Sequence, residues 1–317
     1  MHPHCSSGPL IMALEYPMID PVALDLGILQ IRWYALAYIA AFLLGWRYVV
    51  TLADRRARLM GLDPKRQPDA SRMRPSADHI GDLVSWMIIG VIIGGRLGYV
   101  AFYQPGYYLE NPLEIVQVWR GGMAFHGGFL GAVAAIALYA KRHGLPMLVL
   151  GDFVAAAAPL GLCLGRIANF INAELYGRAA DVPWAMVFPN SDGAPRHPSQ
   201  LYQAGLEGLI LFIILAVLAT MPRILKRPGI LCGSFLIGYG LARIIGEMFR
   251  EPDPQLGFLF ETITMGQVLS APMILIGMAL ISWSVKRGEH LGEPGPMPAP
   301  DGKPQKPAGK NAKKEAS

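Results

Sequence analysis

Apolar residues run through this chain in long blocks separated by short polar connections. Seven blocks stand out, at residues 28–52, 80–102, 123–140, 150–164, 203–221, 229–248 and 265–285. Most approach the roughly twenty residues that a helix needs to cross a hydrocarbon core of about 30 Å. Isolated strands would leave their backbone groups unpaired in lipid, so helix is the state the blocks must adopt. The fourth block is the shortest, because Pro159 and Gly161 interrupt it. The pattern predicts an all-α polytopic membrane protein with about seven transmembrane helices.

The polar connections alternate in charge. Arg55, Arg56, Arg58, Lys65, Arg66, Arg72 and Arg74 follow the first block, and Lys141 and Arg142 follow the third. Arg223, Lys226 and Arg227 follow the fifth, and Lys286 and Arg287 follow the seventh. Loops rich in Lys and Arg stay on the cytoplasmic side. Seven spans with this alternation put the amino terminus outside and the carboxyl terminus in the cytoplasm.

Composition agrees. The chain has 317 residues, of which 53% are hydrophobic and only 16% charged, with a mean hydropathy of +0.35. Soluble domains carry about a quarter charged residues. The basic residues behind the net charge of +5 cluster in the connections and the tail, the distribution of a membrane protein and not of a nucleic-acid binder. Cys5, Cys163 and Cys232 lack the spacing of a disulfide framework or a zinc site. Residues 1–9 are polar, so no cleavable signal peptide is expected. Residues 288–317, rich in Pro, Gly, Lys and Ala, read as a disordered basic cytoplasmic tail. The expected organisation is an N-terminal extension at 1–15, a transmembrane catalytic domain at 16–287 and that tail.

Candidate chemistry lies in polar residues that a membrane span should avoid. An intramembrane arginine is costly unless it is paired or faces a wet cavity. Arg96, Arg166 and Arg243 lie in or beside apolar blocks, away from the basic loops. Arg32 and Arg47, near a span end, fit snorkelling as well as function. Glu247 follows Arg243 by four residues and shares its helical face. The pair reads either as a structural bridge or as a carboxylate orienting a guanidinium for phosphate. Tyr239 precedes Arg243 by one turn and could donate a further hydrogen bond.

Arg166, Asn169, Asn172, Glu174 and Arg178 alternate with Ile167, Phe170, Ile171 and Leu175 after the fourth block, as in a segment half in the membrane that lines a pocket. His126 lies within Gly121-Gly-Met-Ala-Phe-His-Gly-Gly128, where glycines permit close approach and imidazole suits proton transfer. Arg196-His-Pro-Ser-Gln-Leu-Tyr202 leads into the fifth block; there Pro198 suits a first helical turn, and Ser199 and Gln200 can be purely structural. All four clusters fall on the expected external side, where one site could hold them. A lipid or anion transporter would use similar arginines, but no internal repeat is visible and the polar groups gather toward one side.

At these residues the chain resembles the prolipoprotein diacylglyceryl transferase family over roughly residues 14–287. The resemblance rests on six strings in order: Arg32-Trp-Tyr-Ala-Leu, Gly95-Arg-Leu-Gly-Tyr, Gly122-Met-Ala-Phe-His-Gly-Gly, the stretch from Gly165 to Arg178, Arg196-His-Pro-Ser-Gln-Leu-Tyr, and Arg243-Ile-Ile-Gly-Glu-Met-Phe-Arg-Glu-Pro-Asp. It implies a bacterial inner-membrane enzyme with its active site toward the outer leaflet. The implied reaction moves the diacylglyceryl group of phosphatidylglycerol to the lipobox cysteine of a preprolipoprotein signal peptide, without a metal or soluble cofactor. The implied site residues are Tyr34, His126, Arg166, Asn169, Glu174, Gly177, Tyr239, Arg243 and Glu247. Among them, Arg166 and Arg243 would take the phosphate, with Glu174 and Glu247 orienting them. His126 would relay the thiol proton, and Tyr34 and Asn169 would bond the headgroup. The chain has Ala168 and Ala173 where the family commonly has Gly, and Tyr176 where it commonly has Trp.

Overall fold

The computed structural model describes residues 14–62, 75–251 and 264–287. The expected tail, most of the expected extension, Cys5, and the basic residues Lys65, Arg66, Arg72 and Arg74 lie outside the described residues.

The seven apolar blocks become seven helices or helix pairs: α1 (Trp33–Leu59), α2 (Ala77–Phe102), α4 (Phe125–His143), α5 (Met147–Ile171), α6 with α7 (Ser199–Gln203 and Leu211–Thr220), α9 (Ile230–Glu247) and α10 (Met265–Arg287). A π-helical stretch, Ala204–Ile210, joins α6 to α7. Short helices α3 (Pro105–Glu110) and α8 (Pro222–Leu225) lie in connections. Six of the seven are long and apolar enough to cross a membrane. The other, α4, ends in Lys141, Arg142 and His143 and packs along α2. The chain is thus a multi-pass helical membrane protein; among the described residues the sheets beside the helices are two-stranded, parallel β1–β4 (Leu14–Glu15, Met186–Val187) and antiparallel β2–β3 (Val22–Asp25, Gln30–Arg32).

Two boundaries differ from the sequence reading. The first block was expected to enter the membrane at residue 28, yet helix starts only at Trp33. Asp25 Oδ1 accepts the Gly27 N–H at 2.8 Å, and Gly27 takes φ +80°, so residues 25–30 turn a hairpin instead. Leu26, Ile28 and Leu29 on that turn are exposed, and their hydropathy extended the apparent span. The fourth helix is not short: α5 runs for 25 residues straight through Pro159. Other helices bury Pro159 and much of α5, and packing of this kind supports a helix across a missing N–H.

Glycines set the closest helix contacts. Gly90, Gly94 and Gly98 of α2 meet Gly127 and Gly131 of α4 backbone to backbone. On α9, a Cβ at Gly233 would lie 2.8 Å from the Gly277 carbonyl oxygen of α10. Such approach replaces hydrophobic drive with dense packing in lipid. At the end holding the basic loops, a core of Val49, Leu52, Val149, Phe153, Leu211, Leu215 and Leu231 ties α1, α5, α7 and α9 together. There Asp152, buried in α5, accepts the N–H groups of Gly229 at 2.8 Å and Cys232 at 2.7 Å, capping the start of α9. Arg56, grouped above with the basic loop, is itself buried at this level.

Candidate functional site

The opposite end of the bundle collects the polar clusters, because α1, α4 and α6 begin there while α5 and α9 end there. The extension of α5 to Ile171 places Arg166 and Asn169 in its last turns, on helix and not on a following loop. The Tyr16 hydroxyl closes that helix end, lying 2.7 Å from the Phe170 carbonyl oxygen and 2.8 Å from that of Ile171. Beyond it the chain turns through left-handed backbone at Ala173 (φ 53°) and Leu175 (φ 57°). That turn returns Glu174 over the helix end, its N–H bonded to the Asn169 carbonyl at 3.1 Å.

Two side-chain groups result. In the first, the Tyr34 hydroxyl donates to Glu174 Oε1 at 2.6 Å, and Asn169 Nδ2 donates to the same oxygen at 3.1 Å. Asn169 Nδ2 also donates to the Tyr34 oxygen. Glu174 therefore orients Tyr34 and Asn169; it is not the carboxylate that holds Arg166.

In the second group, that carboxylate is Glu207. Its Oε2 lies 3.5 Å from Arg166 Nη2 of α5, and its Oε1 lies 3.5 Å from Arg243 Nη1 of α9. Glu247 Oε1 meets Arg243 Nη2 at 2.6 Å, as the four-residue spacing predicts, and Arg250 Nη1 at 3.5 Å. Glu207 is 0% exposed, so both arginines are drawn to a charge that has left water entirely. The Glu207–Arg243 contact is close enough for charge attraction but is not aligned as a hydrogen bond, and Arg243 Nη1 and Glu207 Oε1 are both left without a hydrogen-bond partner. Buried Asn172 Oδ1, Gln200 Oε1 and Gln203 Nε2 are unpartnered too. Each such atom costs about 1–3 kcal/mol. Their gathering on α5, α6 and α9 marks a layer kept polar for something other than stability.

The remaining expected residues take other places. Gly177 packs its backbone against Phe249 and His197, its N–H bonded to the His197 carbonyl at 2.9 Å. Arg178 donates to the carbonyls of Arg250 at 2.8 Å and Glu247 at 3.1 Å, tying the loop to the end of α9. Tyr239 is half-buried and stacks on Phe235, with ring centroids 5.7 Å apart. His126 is exposed in the first turn of α4. Of the glycines around it, Gly127 serves the α2–α4 contact, while Gly121 and Gly122 take φ +82° and +76°. Those two turns present carbonyls to Arg96, whose guanidinium also binds the carbonyls of Ile115 at 2.7 Å and Glu114 at 2.6 Å. Arg96 is thus an anchor for the connection before α4. Before α6, His197 is half-buried against Tyr202 and Phe249, and burial lowers its pKa below the usual value.

Glu207 and Gln203 were missed from sequence, and Gln200 was weighed there only as a residue that can be structural. Glu207 is the single acid in the block at 203–221 and was detectable on that ground alone.

Fold and site together define a multi-pass membrane protein that buries an arginine–carboxylate site at one end of its helical bundle. The chain belongs to the prolipoprotein diacylglyceryl transferase family, whose profile matches residues 21–283. It is similar to proteins named phosphatidylglycerol–prolipoprotein diacylglyceryl transferase. That of Beijerinckia indica is 55% identical over 273 residues, covering 85% of this chain and 95% of its relative. That of Azospirillum brasilense is 53% identical over 279 residues, covering 87% and 98%. That of Nitrobacter winogradskyi is 51% identical over 286 residues, covering 90% and 94%.

Proposed function

We propose that this chain transfers the diacylglyceryl group of phosphatidylglycerol to the lipobox cysteine of preprolipoprotein signal peptides, the first step of bacterial lipoprotein maturation. The observation that carries the reading is the convergence of Arg166 and Arg243, from separate helices, on one buried carboxylate. Long 3.5 Å pairs can yield to a better anion, and guanidinium matches phosphate oxygens in geometry and charge.

In this mechanism the two arginines hold the phosphodiester; Glu247 aims Arg243, and Glu207 keeps the two guanidiniums together until the phosphate displaces it. The cysteine sulfur, as thiolate, attacks the glyceryl carbon that carries the phosphate oxygen. A C–S bond forms as the C–O bond breaks, and the electron pair leaves on phosphate. Charge gathers on the departing glycerol 1-phosphate, where the arginines stabilise it most. The thiol proton passes to His126, whose imidazole ring can accept it, and then to solvent or product. Tyr34 and Asn169, held by Glu174, bond the glyceryl ester region, while Gly177 and Tyr239 shape the wall around the headgroup. The site faces the outer leaflet of the bacterial inner membrane, with the amino terminus outside and the carboxyl terminus in the cytoplasm, as the basic connections favour. Both substrates then reach it laterally from the bilayer.

The test is mass spectrometry of a lipobox peptide incubated with purified protein and phosphatidylglycerol in detergent. A diacylglyceryl mass added to the cysteine peptide, and absent from its serine counterpart, is the expected result. An unmodified cysteine peptide with folded protein would overturn the reading.

A further inference from the structure

The chain ahead of the first helix reaches the candidate site from outside the bundle. Leu14 and Glu15 pair in parallel with Met186 and Val187, and the Leu14 N–H bonds the Ala185 carbonyl at 2.8 Å. That pairing delivers Tyr16 to the end of α5, where it is 6% exposed. Its ring centroid lies 5.4 Å from that of Phe170 and 5.3 Å from that of Phe188. The ring is thereby packed in place, and its hydroxyl meets the helix end at a fixed point.

The last carbonyls of a helix must find partners beyond it. On α5 the Asn169 carbonyl takes the Glu174 N–H at 3.1 Å, and the Phe170 carbonyl takes the Ala173 N–H at 2.9 Å. No backbone N–H of the described residues reaches the Ile171 carbonyl. The Tyr16 hydroxyl does so at 2.8 Å, while lying 2.7 Å from the Phe170 carbonyl oxygen. The turn that follows holds Ala173 at φ 53° and Leu175 at φ 57°. Left-handed backbone at two non-glycine residues persists where the surroundings fix it. On one side α6 grips the turn: Gln200 Nε2 donates to the Glu174 carbonyl at 2.7 Å, and Ser199 Oγ donates to the Leu175 carbonyl at 3.0 Å. Tyr16 grips the other side, at the carbonyls from which the turn departs. Between the two grips stands Glu174, whose Oε1 receives Tyr34 and Asn169.

We infer that Tyr16 is a positioning residue for the transfer reaction: its hydroxyl locks the end of α5 and so fixes the turn that carries Glu174. The inference rests on the transferase reading above. Buried as it is, Tyr16 acts through Glu174 and not on the substrate. The Glu174 carboxylate sets where the Tyr34 hydroxyl and the Asn169 amide stand. Without the Tyr16 hydroxyl the Ile171 carbonyl loses its partner, the turn is free to leave its left-handed conformation, and Glu174 moves away from Tyr34. A displacement of about 1 Å can cost roughly a hundredfold in rate; with the α6 grip intact, the expected loss is about tenfold.

Tyr16→Phe keeps the ring in its aromatic cluster and removes the hydroxyl. Two quantities are measured on the full-length protein in detergent: kcat/KM for thioether formation on a lipobox peptide with phosphatidylglycerol, and backbone hydrogen exchange by mass spectrometry. The variant should lose about tenfold in kcat/KM, with faster exchange at residues 172–175 and unchanged exchange along α9 and α10. A role in stability alone would quicken exchange across the bundle or leave kcat/KM untouched, and either result in the folded variant would overturn the inference. The unaltered protein supplies an arm that needs no variant: its Ala173 and Glu174 amides should be strongly protected. Exchange there at the rate of an unstructured peptide would overturn the inference as well. Absence of thioether from the unaltered protein would remove the transferase reading itself, a result distinct from a loss confined to Tyr16→Phe.

Discussion

Glu207→Gln separates what the central carboxylate does for the fold from what it does for the ligand. The substitution keeps volume and removes one charge from a fully buried position. Each 3.5 Å contact, to Arg166 and to Arg243, corresponds to an attraction of about 5 kcal/mol at an effective dielectric of about 20. Most of that offsets the cost of taking the charges out of water. Removing one partner from a buried pair typically costs about 3–5 kcal/mol. Arg243 keeps Glu247 at 2.6 Å, so the loss falls chiefly on Arg166 and should lie near 3 kcal/mol. The assay is reversible denaturant titration in detergent, with and without glycerol 1-phosphate. The variant should be less stable alone, yet gain more from the anion than the unaltered protein does, because its guanidiniums are freed to take it. Unchanged stability, or a smaller gain from the anion, would refute the reasoning.

Other outcomes follow from the same structure. Ala173→Gly should leave stability within about 1 kcal/mol of the unaltered protein: relief of left-handed backbone at φ 53°, worth about 1–2 kcal/mol, is offset by roughly 0.5–1 for glycine's extra freedom when unfolded and about 0.8 for the methyl lost from a buried position beside Tyr16, Phe170 and Phe188. A loss of several kcal/mol in the same titration would contradict this. Gly94→Val should cost at least about 1–3 kcal/mol, since a Cβ there runs into the Gly127 carbonyl and must part α2 from α4; normal thermal stability would contradict it. His197 binds its proton less readily when folded than when unfolded, because burial lowers its pKa. Its contribution to stability is therefore full above the unfolded value of 6.5 and declines as pH falls below it, toward the lower folded value. In a His197→Phe protein that acid-side decline should flatten, and an unchanged pH profile of unfolding would exclude His197 as its source.

The helical architecture was legible because length and apolarity are local properties: all seven blocks are helices in the structure. The errors came where a tertiary contact decides. Nothing local reveals that Ile28 and Leu29 sit on a hairpin held by Asp25, or that packing carries α5 across Pro159. The site followed the same rule. The Arg243–Glu247 pair was readable from helical spacing, whereas the partner of Arg166 lies 41 residues away and needed the fold to be seen. Arg96 was singled out correctly as an unusual buried arginine, but only the structure shows that its partners are carbonyls of its own loop.

The central claim is that Arg166 and Arg243 bind the phosphate that departs. The direct measurement is release of glycerol 1-phosphate from phosphatidylglycerol in the presence of a lipobox peptide, comparing the unaltered protein with Arg243→Ala after both pass size-exclusion chromatography as folded. The account expects release that requires the peptide cysteine and falls at least a hundredfold, about 2.7 kcal/mol of lost transition-state stabilisation, in the variant. Near-normal release from folded Arg243→Ala would contradict it.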